Sequence, residues 1–444
     1  MLELRRAESL GVTIDCGNDG MLAAFFRHSI FFLYDCLWRT GIPFFRLNSR
    51  LSEGFEQRTL QVGLPSADIW IQAASAGESH LALLLVHTLR PRRPVRVLVT
   101  TSTQQGMETI RNGLRGVDCM NMTIFAAYFP FDAPGTMRRA VDMVLPKVMV
   151  LVESEIWPGL LAALARRTCR VLIANGRIRK KSLRRYLVWP SFWRSVAPCR
   201  ILAVSEADAG RFKQLFGAGR VGAMPNMKFD RIRPGFPKFE MKSGVTNLLN
   251  ERTPFVVLGS IRKQEEQIIA RVIMDVMHRS KDAVLGVFPR HMHRIAHWEN
   301  RLEALGVSWR LRSECEGPVP PNSVILWDVF GELPAAYSAA RAAFVGGSLA
   351  PLGGQNFLEA LTCGVSPVIG PSWENFYWVG QEIVENGLVK VAEDWKAASD
   401  LLIQDLEDPP VREQVQKAVF RYVKARQGGT AHACKVIQEL LENG

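Results

Sequence analysis

The chain has 444 residues, a formal net charge of +12 and eight cysteines. This length suggests two or three domains, and the hydrophobic fraction of 48% is enough for two separate cores. The cysteines are scattered, without a Cys-x-x-Cys pair or a Cys/His cluster at metal-ligand spacing. The pattern argues against structural zinc and a disulfide scaffold, and it favours a reducing cytoplasm.

Residues 21–45 are rich in Phe and Leu but are interrupted by Arg27, His28, Asp35 and Arg39. No unbroken apolar run approaches the roughly 18–20 residues that span a bilayer. A small-residue cleavage site typical of a signal peptide is also missing. Two interpretations remain open: a buried helical hairpin, or a helix lying in the membrane interface with its aromatic side chains towards lipid.

From residue 69 onwards, short apolar runs alternate with amphipathic helical patterns. In the first half, strands are predicted at 69–74, 95–101, 148–153, 170–175 and 201–205. Helices are predicted between several of them, at 79–90, 105–114, 134–145, 157–166 and 207–216. This alternation is typical of βαβ units and a parallel sheet.

The alternation stops at 229–253, a stretch with several Pro and Gly residues that we interpret as an interdomain linker. It then resumes with strands predicted at 254–260, 283–289, 324–328, 342–347 and 366–370. Helices are predicted at 265–277, 298–305, 333–340 and 357–363, and a long helical region at 394–441. We therefore expect an α/β protein with two Rossmann-like, doubly wound domains. Ligands bind beyond the carboxyl ends of such strands, so two domains that face each other form a cleft for two substrates.

The first strand runs into Ser75-Ala76-Gly77-Glu78, immediately before an apolar helix. Ser-x-x-Glu before an apolar run is the signature of a capping box. A carboxylate at the carboxyl edge of a sheet can equally take part in chemistry. The residues alone leave both interpretations open.

The basic residues are unevenly distributed. Between Glu155 and Glu206 there are eleven Lys or Arg residues and no acidic residue. Such a block is usually a solvated face, but its size favours an anionic partner: nucleic acid, a phosphorylated substrate or an acidic membrane. Aromatic residues follow the block, yet no known nucleic-acid-binding module is present, so we expect no nucleic-acid partner.

Several motifs follow one another in a recognisable order. They are SAGE (75–78), PFDAPG (130–135), VESEIWPGLL (152–161), NGRI (175–178), SEAD (205–208), NMKFD (226–230), VFPRH (287–291), WDVFGEL (327–333) and FVGGSLAPLGGQNFLEA (344–360). Together they resemble the 3-deoxy-D-manno-octulosonic acid (Kdo) transferases of lipopolysaccharide biosynthesis. The resemblance implies an inverting, metal-independent glycosyltransferase of the GT-B fold without a cofactor. It also implies that CMP-Kdo is the donor and a lipid A precursor, lipid IVA, the acceptor.

The resemblance further implies that Glu78 is the general base, which takes the proton of the acceptor's primary hydroxyl group. Glu153 and Lys228 match residues that support the transition state. Without the resemblance, Glu153 is equally a polar residue before a helix, and Lys228 is equally a solvated lysine.

Three stretches match CMP-contacting segments of the family. They are Pro289-Arg290, Phe330-Gly331-Glu332, and the four residues Asn356, Phe357, Leu358 and Glu359. The glycine-rich loop before Asn356 is expected to permit close backbone approach, and the helix predicted to start there is expected to offer free N–H groups to a phosphate. The loop is otherwise an ordinary turn.

The sequence departs from the family pattern at three places. Gln355 stands where His is usual, Ser260-Ile261-Arg262 replaces a Ser/Thr-His pair, and Asn226-Met227 precedes Lys228 where Gly is more usual. Gln donates hydrogen bonds but carries no charge, and Arg262 is expected to compensate with a charge-assisted contact.

The resemblance gives the basic block a purpose. We expect Arg177 to contact the acceptor, and the rest of the block, with residues 21–45, to hold an anionic membrane surface. The protein is then peripheral or monotopic on the cytoplasmic face of the inner membrane.

The expected domain boundaries are 1–50 for a membrane-interface segment, 51–232 for the acceptor-binding domain, 254–420 for the CMP-sugar-binding domain and 421–444 for a C-terminal helix. The alternatives are another GT-B transferase, a nucleotide-sugar epimerase, or a catalytically inactive membrane-bound scaffold, the last motivated by Gln355.

Overall fold

The computed structural model describes residues 18–116, 121–232, 244–250 and 253–442. Contacts divide the chain into two compact units. The N-terminal unit combines Met1–Arg231 with Gln427–Gly444, and the C-terminal unit is Ile232–Arg426. The end of the chain thus returns to the first unit.

Within its described residues, the N-terminal unit contains a seven-stranded parallel sheet with the order β3-β2-β1-β4-β5-β6-β7. The strands are β1 (Ile69–Ala73), β2 (Val95–Thr101), β3 (Met122–Tyr128), β4 (Val148–Val152), β5 (Arg170–Gly176), β6 (Arg200–Ala203) and β7 (Val221–Ala223). The order reverses between β1 and β4, which makes that position the topological switch point. All residues of these two strands are buried, since helices cover both faces of the sheet.

The helices of the N-terminal unit connect these strands or flank the sheet. They are α1 (Asn18–Phe45), α2 (Ser49–Ser52), α3 (Phe55–Arg58), α4 (Ala76–Thr88), α5 (Gln104–Leu114), α6 (Pro134–Val144), α7 (Pro158–Leu164), α8 (Lys180–Tyr186), α9 (Pro190–Ser195) and α10 (Glu206–Phe216). Helix α18 (Gly429–Glu442) packs beside α4 in the core of the same unit, where Cys434 lies with Leu85.

The C-terminal unit, in its described residues, repeats this architecture with the order β10-β11-β9-β8-β12-β13-β14, also parallel. The strands are β8 (Phe255–Ile261), β9 (Val284–Pro289), β10 (Ser308–Leu311), β11 (Ser323–Leu326), β12 (Ala342–Val345), β13 (Val368–Ile369) and β14 (Lys390–Val391). The helices are α11 (Glu266–Arg279), α12 (Ile295–Ala304), α13 (Leu333–Ala339), α14 (Leu358–Thr362), α15 (Glu382–Glu385), α16 (Trp395–Glu407) and α17 (Arg412–Lys424). Here the switch point lies between β8 and β12.

Helix α1 is one continuous helix from Asn18 to Phe45, so the helical-hairpin interpretation is wrong. On its inner side Phe31 contacts Phe192, and the Tyr34 hydroxyl donates to Asp132 at 3.0 Å. Its outer side is apolar and exposed: Leu33 and Leu37 are each about three-fifths exposed. In the part of the chain that the structure describes, no helix is both long and apolar enough to cross a membrane.

Two further sequence predictions need correction. The helical region predicted at 394–441 is three helices, α16, α17 and α18, because Pro409-Pro410 and Gly428 (φ 104°) interrupt the helical backbone. The ten predicted strands are present, and the four strands that were missed are β3, β7, β10 and β14. Of the predicted linker at 229–253, residues 233–243 and 251–252 lie outside the described residues.

Candidate active site

Glu78 lies in the first turn of α4, the helix that follows β1 at the switch point of the N-terminal sheet. Its Oε2 accepts the Ser75 N–H at 2.7 Å, and the Ser75 hydroxyl accepts the Glu78 N–H at 3.3 Å. The capping-box interpretation is therefore confirmed. Burial raises the pKa of the Glu78 carboxyl group; the Ser75 hydrogen bonds oppose the rise, the Glu153 charge adds to it and Lys228 opposes it. A carboxylate with a raised pKa is a stronger base, so the cap does not exclude a role in proton transfer.

Glu153 directly follows β4, the neighbour of β1, so it shares the edge with Glu78. Its backbone is in the left-handed region, with φ at 60°, which is uncommon for a residue with a side chain. The Glu153 N–H donates to the Ala174 carbonyl oxygen at 2.9 Å. Its Oε1 accepts the Asn175 side-chain amide at 3.4 Å and lies 2.7 Å from the Lys228 Nζ. Such strain persists where the surroundings fix the conformation, as they do at this edge.

Lys228 reaches the edge from a short 3₁₀ segment, Met227–Arg231. Asn175 Oδ1 accepts the Met227 N–H at 2.8 Å, and Asn226 Oδ1 accepts the Lys228 N–H at 3.0 Å. Met227 is fully buried. The lysine backbone is thus fixed on both sides by side-chain amides. Asn226, which departs from the family pattern, serves as one of these fixed points.

The start of α18 holds the other end of this segment. The Asp230 carboxylate accepts the N–H of Gly428 at 2.7 Å, and both the N–H and the hydroxyl of Thr430 at 2.6 Å. Lys228 is therefore positioned by a contact between Asp230 and the start of α18, which are about 200 positions apart in the sequence.

Glu155 is a third carboxylate at this edge, to which the sequence had assigned no role. It is only 7% exposed, and its Oε2 accepts the Gln72 amide at 3.0 Å and the Trp157 indole N–H at 2.8 Å. Burial raises its pKa to about 7, and the charge of Glu78 is the next cause. The signal in the sequence was Glu-x-Glu after a fully apolar strand, because carboxylates are rarely buried without a specific partner.

The basic block begins at the same edge. Arg177 follows β5, is half-buried, and its N–H donates to the Glu153 carbonyl oxygen at 3.4 Å. The next basic residues are exposed on or beside α8: Arg179, Lys180, Lys181, Arg184 and Arg185. Val188, which follows them, is 83% exposed. Positive charge and an apolar side chain thus lie together on the surface next to the candidate active site.

A groove of about 730 Å³ runs between α1, α6, α7 and α9. Phe31 and Phe192 form part of its apolar lining, and Arg138 and Arg166 contribute cationic groups. Arg39 also lines it, paired with Asp35 at 2.6 Å. Its chemistry matches a molecule with both apolar and anionic parts.

In the C-terminal unit, the predicted CMP-contacting residues follow three strands of one sheet: β9 and β11 are neighbours, and β8 lies between β9 and β12. Pro289-Arg290 ends β9, Phe330-Gly331-Glu332 follows β11, and the 356–359 segment follows β12. Because the sheet is parallel, all three stretches lie at its carboxyl edge. The structure therefore brings these predicted residues to one side of the unit.

Their side chains differ in what they offer to a ligand. Phe330 is 82% exposed, whereas Phe357 and Leu358 are buried in the core, so a contact from these two is made by their backbone. Glu332 accepts two hydrogen bonds from Arg312, at 2.8 and 3.0 Å. Glu359 accepts the Asn356 amide at 2.8 Å.

The glycine-rich loop differs from expectation. The helix after it, α14, begins at Leu358 and has only five residues. The N–H groups of Gly347, Ser348 and Leu349 donate to the Glu265 carboxylate, the last two at 2.8 Å. Glu265 is fully buried. A carboxylate of the protein therefore occupies the N–H groups of residues 347–349. The expectation that the helix start near Asn356 offers N–H groups to a phosphate stays a prediction.

Among the described residues, no three His, Cys, Asp or Glu side chains are grouped as metal ligands. The metal independence expected from the resemblance stays a prediction.

Comparison with known proteins decides the family. A protein-family model described as "3-Deoxy-D-manno-octulosonic-acid transferase (kdotransferase)" matches residues 45–231. A 3-deoxy-D-manno-octulosonic acid transferase of Bordetella pertussis is 30% identical over 382 residues, which cover 85% of this chain and 88% of that protein. This chain belongs to the Kdo transferase family. A Kdo transferase of Haemophilus influenzae is 26% identical over 389 residues, covering 85% of this chain and 88% of the relative.

The fold agrees with this family. A glycosyltransferase structure from Rickettsia africae ESF-5 matches with a TM-score of 0.55 and 8% identity, covering 85% of this chain and 99% of that chain. At this identity the likeness concerns the fold alone. It confirms the predicted GT-B fold with two parallel-sheet α/β units. Membership of the Kdo transferase family identifies the chain as a glycosyltransferase of lipopolysaccharide biosynthesis, which disfavours the epimerase alternative.

Proposed function

We propose that this Kdo transferase moves Kdo from CMP-Kdo to lipid IVA with inversion at the anomeric carbon. The observation that carries the proposal is the grouping of Glu78 with the Glu153–Lys228 pair at the switch point of the N-terminal sheet. Transfer of a sugar from an anionic donor to a hydroxyl group requires a base, a carboxylate and an ammonium group, and this site contains all three.

In this mechanism Glu78 takes the proton of the acceptor's primary hydroxyl group. The hydroxyl oxygen forms a bond to the anomeric carbon of Kdo as the bond from that carbon to the CMP phosphate breaks. The Ser75 N–H fixes Glu78 Oε2, and burial makes the carboxylate a stronger base. CMP leaves with the bonding electrons, so one bond forms where another breaks.

Glu153 and Lys228 act on charge. The transition state is oxocarbenium-like, and a carboxylate near the anomeric carbon stabilises its positive character. The Lys228 ammonium group attracts the departing phosphate or the carboxylate of Kdo. Because both side chains are held before substrate arrives, little reorganisation is needed during the reaction.

CMP is assigned to the carboxyl edge of the C-terminal sheet, through Pro289-Arg290, Phe330-Gly331-Glu332 and residues 356–359. Glu359 accepts hydrogen bonds from ribose hydroxyl groups in this proposal, as carboxylates in nucleotide sites commonly do. The exposed Phe330 is suited to stack on the cytosine ring.

The acceptor side is assigned to Arg177, the exposed basic residues of α8 and the amphiphilic groove beside α1. Lipid IVA carries phosphates and acyl chains, which match the cationic and apolar lining of that groove. The exposed Leu33 and Leu37 and the basic block favour peripheral binding to an anionic membrane, at the cytoplasmic face of the inner membrane.

The test is turnover by the purified protein with CMP-Kdo and lipid IVA, in buffer with and without EDTA, followed by mass spectrometry of the lipid. We expect a lipid that has gained Kdo, equal rates with and without EDTA, and inverted anomeric configuration by NMR. A lipid of unchanged mass contradicts the transfer and favours the inactive-scaffold alternative.

A further inference from the structure

The groove beside α1 has its walls on separate helices of the N-terminal unit, and the buried carboxylate of Asp132 contacts two of them. Phe32 and Cys36 line the groove from α1, and Gly159 and Ala162 line it from α7. Asp132 is 2% exposed and lies two residues before α6, a third wall. The mechanism above gives it no role. A carboxylate is buried only with specific partners, so those partners show what Asp132 holds together.

The first partner of Asp132 is the start of α7. Its Oδ2 accepts the Gly159 N–H at 2.8 Å, and its Oδ1 accepts the Leu160 N–H at 2.7 Å. The N–H groups of a first helical turn have no partner within the helix, so the carboxylate supplies one. A Cβ atom at Gly159 would collide with the Asp132 carbonyl oxygen. The close approach of α7 therefore depends on this glycine, and both carboxylate oxygens contact α7.

The second partner of Asp132 is α1. The Tyr34 hydroxyl group donates to Asp132 Oδ2 at 3.0 Å, the same oxygen that accepts the Gly159 N–H. Burial, and then the charge of Asp132, raise the pKa of the Tyr34 hydroxyl group, so it keeps its proton and remains the donor. A longer hydrogen bond, from the Gly135 N–H to Asp35 Oδ1 at 3.4 Å, joins α1 to α6. One carboxylate thus connects the two walls of the groove.

We propose that Asp132 and Tyr34 are positioning residues for the acceptor: their hydrogen bonds set the distance between α1 and α7, the walls between which the lipid binds. The inference rests on the proposed function, in which this groove holds part of lipid IVA. Neither side chain touches a reacting atom. Binding of the acceptor therefore depends on the two residues, whereas the chemical step and binding of the donor do not.

The steady-state constants test this division. Tyr34→Phe removes the hydroxyl group and keeps the ring, which contacts Phe31 and Trp38 edge-on. We expect the KM for lipid IVA to rise about three- to tenfold, since the acceptor must then itself hold α1 in place. The kcat and the KM for CMP-Kdo are expected to stay unchanged. The matched control is Tyr422→Phe, which loses a buried hydrogen bond to the Val379 carbonyl oxygen in the C-terminal unit and is expected to leave all three constants unchanged.

A second variant acts on both walls. Asp132→Asn keeps the shape of the side chain, but its NH₂ group cannot accept a hydrogen bond, so an N–H group of α7 loses its partner. We expect a larger rise in the KM for lipid IVA than in Tyr34→Phe, again at unchanged kcat. Because the two residues share one hydrogen bond, the rise in the double variant is expected to be smaller than the product of the two single effects. A rise equal to that product, or a fall in kcat without a change in KM, contradicts the proposal.

A measurement without turnover separates this inference from the proposed function. Cys36 is half-buried and lines the groove from α1. Lipid IVA in detergent micelles, without CMP-Kdo, is expected to slow alkylation of Cys36 by N-ethylmaleimide, relative to micelles without the lipid, as measured by mass spectrometry of peptides. Tyr34→Phe is expected to need more lipid IVA for the same protection, by the factor found for KM.

Protection curves that coincide in the wild type and Tyr34→Phe overturn the positioning role, even if Tyr34→Phe unfolds at a lower temperature. Absence of protection in the wild type overturns it as well, because the lipid then binds elsewhere. Absence of Kdo transfer by a wild-type protein whose Cys36 is protected overturns only the proposed function.

Discussion

The Lys228 ammonium nitrogen lies 2.7 Å from Glu153 Oε1, although 75 residues separate the two in the chain. Each is fixed by a different part of the N-terminal unit: Glu153 by its left-handed backbone after β4, and Lys228 by Asn226 and the start of α18. Side-chain exposure is 13% for Glu153 and 22% for Lys228. The pair is thus partly shielded from water, where an electrostatic contribution is larger than on an open surface.

Removing the cation of this pair tests its role. Lys228→Gln is expected to lower kcat/KM for Kdo transfer by about 10²-fold or more, the usual effect of losing one transition-state-stabilising donor. The rates are measured by mass spectrometry of the lipid product. The control is Lys213→Gln, an exposed lysine at the end of α10. Equal losses in the two variants would show that general surface charge, and not Lys228, matters.

Glu265 is expected to be important for stability of the C-terminal unit. Its carboxylate accepts three consecutive N–H groups of the glycine-rich loop. Glu265→Gln replaces one accepting oxygen with an NH₂ group, so at least one buried N–H loses its partner. We expect the free energy of unfolding to fall by about 1–3 kcal/mol. Urea denaturation measures this, with the exposed Glu303→Gln as control. No difference between the two variants would contradict this structural role.

Asp132 predicts a defined pH dependence of stability. Its carboxylate accepts the N–H groups of Gly159 and Leu160, at 2.8 and 2.7 Å, and burial raises its pKa to about 7. In the unfolded chain an Asp side chain has a pKa of about 4. The folded state therefore holds the proton more tightly, and the stability that this group contributes falls as the pH rises from about 4 to about 7.

Comparison with Asp132→Asn isolates this effect, because Asn does not titrate. The free energy of unfolding of the wild type, minus that of the variant, is expected to fall by at least about 1 kcal/mol between pH 5 and pH 8. Urea denaturation at each pH unit provides the values. A difference that stays constant or rises with pH contradicts the raised pKa.

Membrane attachment through α1 can be tested with vesicles. Leu33, Leu37 and Phe44 are exposed at helical spacing, so they form one apolar stripe. The double variant Leu33→Glu/Leu37→Glu is expected to reduce flotation with anionic liposomes several-fold at low salt, since it places charge in the apolar layer. The control is Val411→Glu/Phe420→Glu, at exposed apolar positions of the C-terminal unit. If wild-type protein stays in the soluble fraction, the membrane-interface interpretation is wrong.

The sequence predicted the central strands and missed the edges for a physical reason. The four missed strands, β3, β7, β10 and β14, are the four outer strands of the two sheets. Central parallel strands are buried on both faces and appear as unbroken apolar runs, as β4 does. Outer strands are partly exposed: β10 alternates exposed and half-buried residues, and β14 has only two residues.

In the candidate active site, the sequence predicted only the residues that follow strands or belong to family motifs. Glu78 and Glu153 both follow central strands, so their common edge followed from the alternation of strands and helices. The role of Glu265 could not be predicted from the sequence, because its partners are 82–84 residues away and no local pattern marks them. The packing of α18 in the N-terminal unit could not be predicted either, since helical periodicity does not specify which face of which sheet a helix covers.

One pair of variants tests the central claim most directly. Glu78→Gln removes the base but keeps the capping box, because Gln serves at this position as well as Glu. Ser75→Ala removes the serine side of the cap but keeps the carboxylate. With CMP-Kdo and lipid IVA, Glu78→Gln is expected to abolish gain of Kdo by the lipid, whereas Ser75→Ala retains turnover with lowered thermal stability. Turnover by Glu78→Gln at a rate near that of the wild type would contradict the account and leave Glu78 as a helix cap alone.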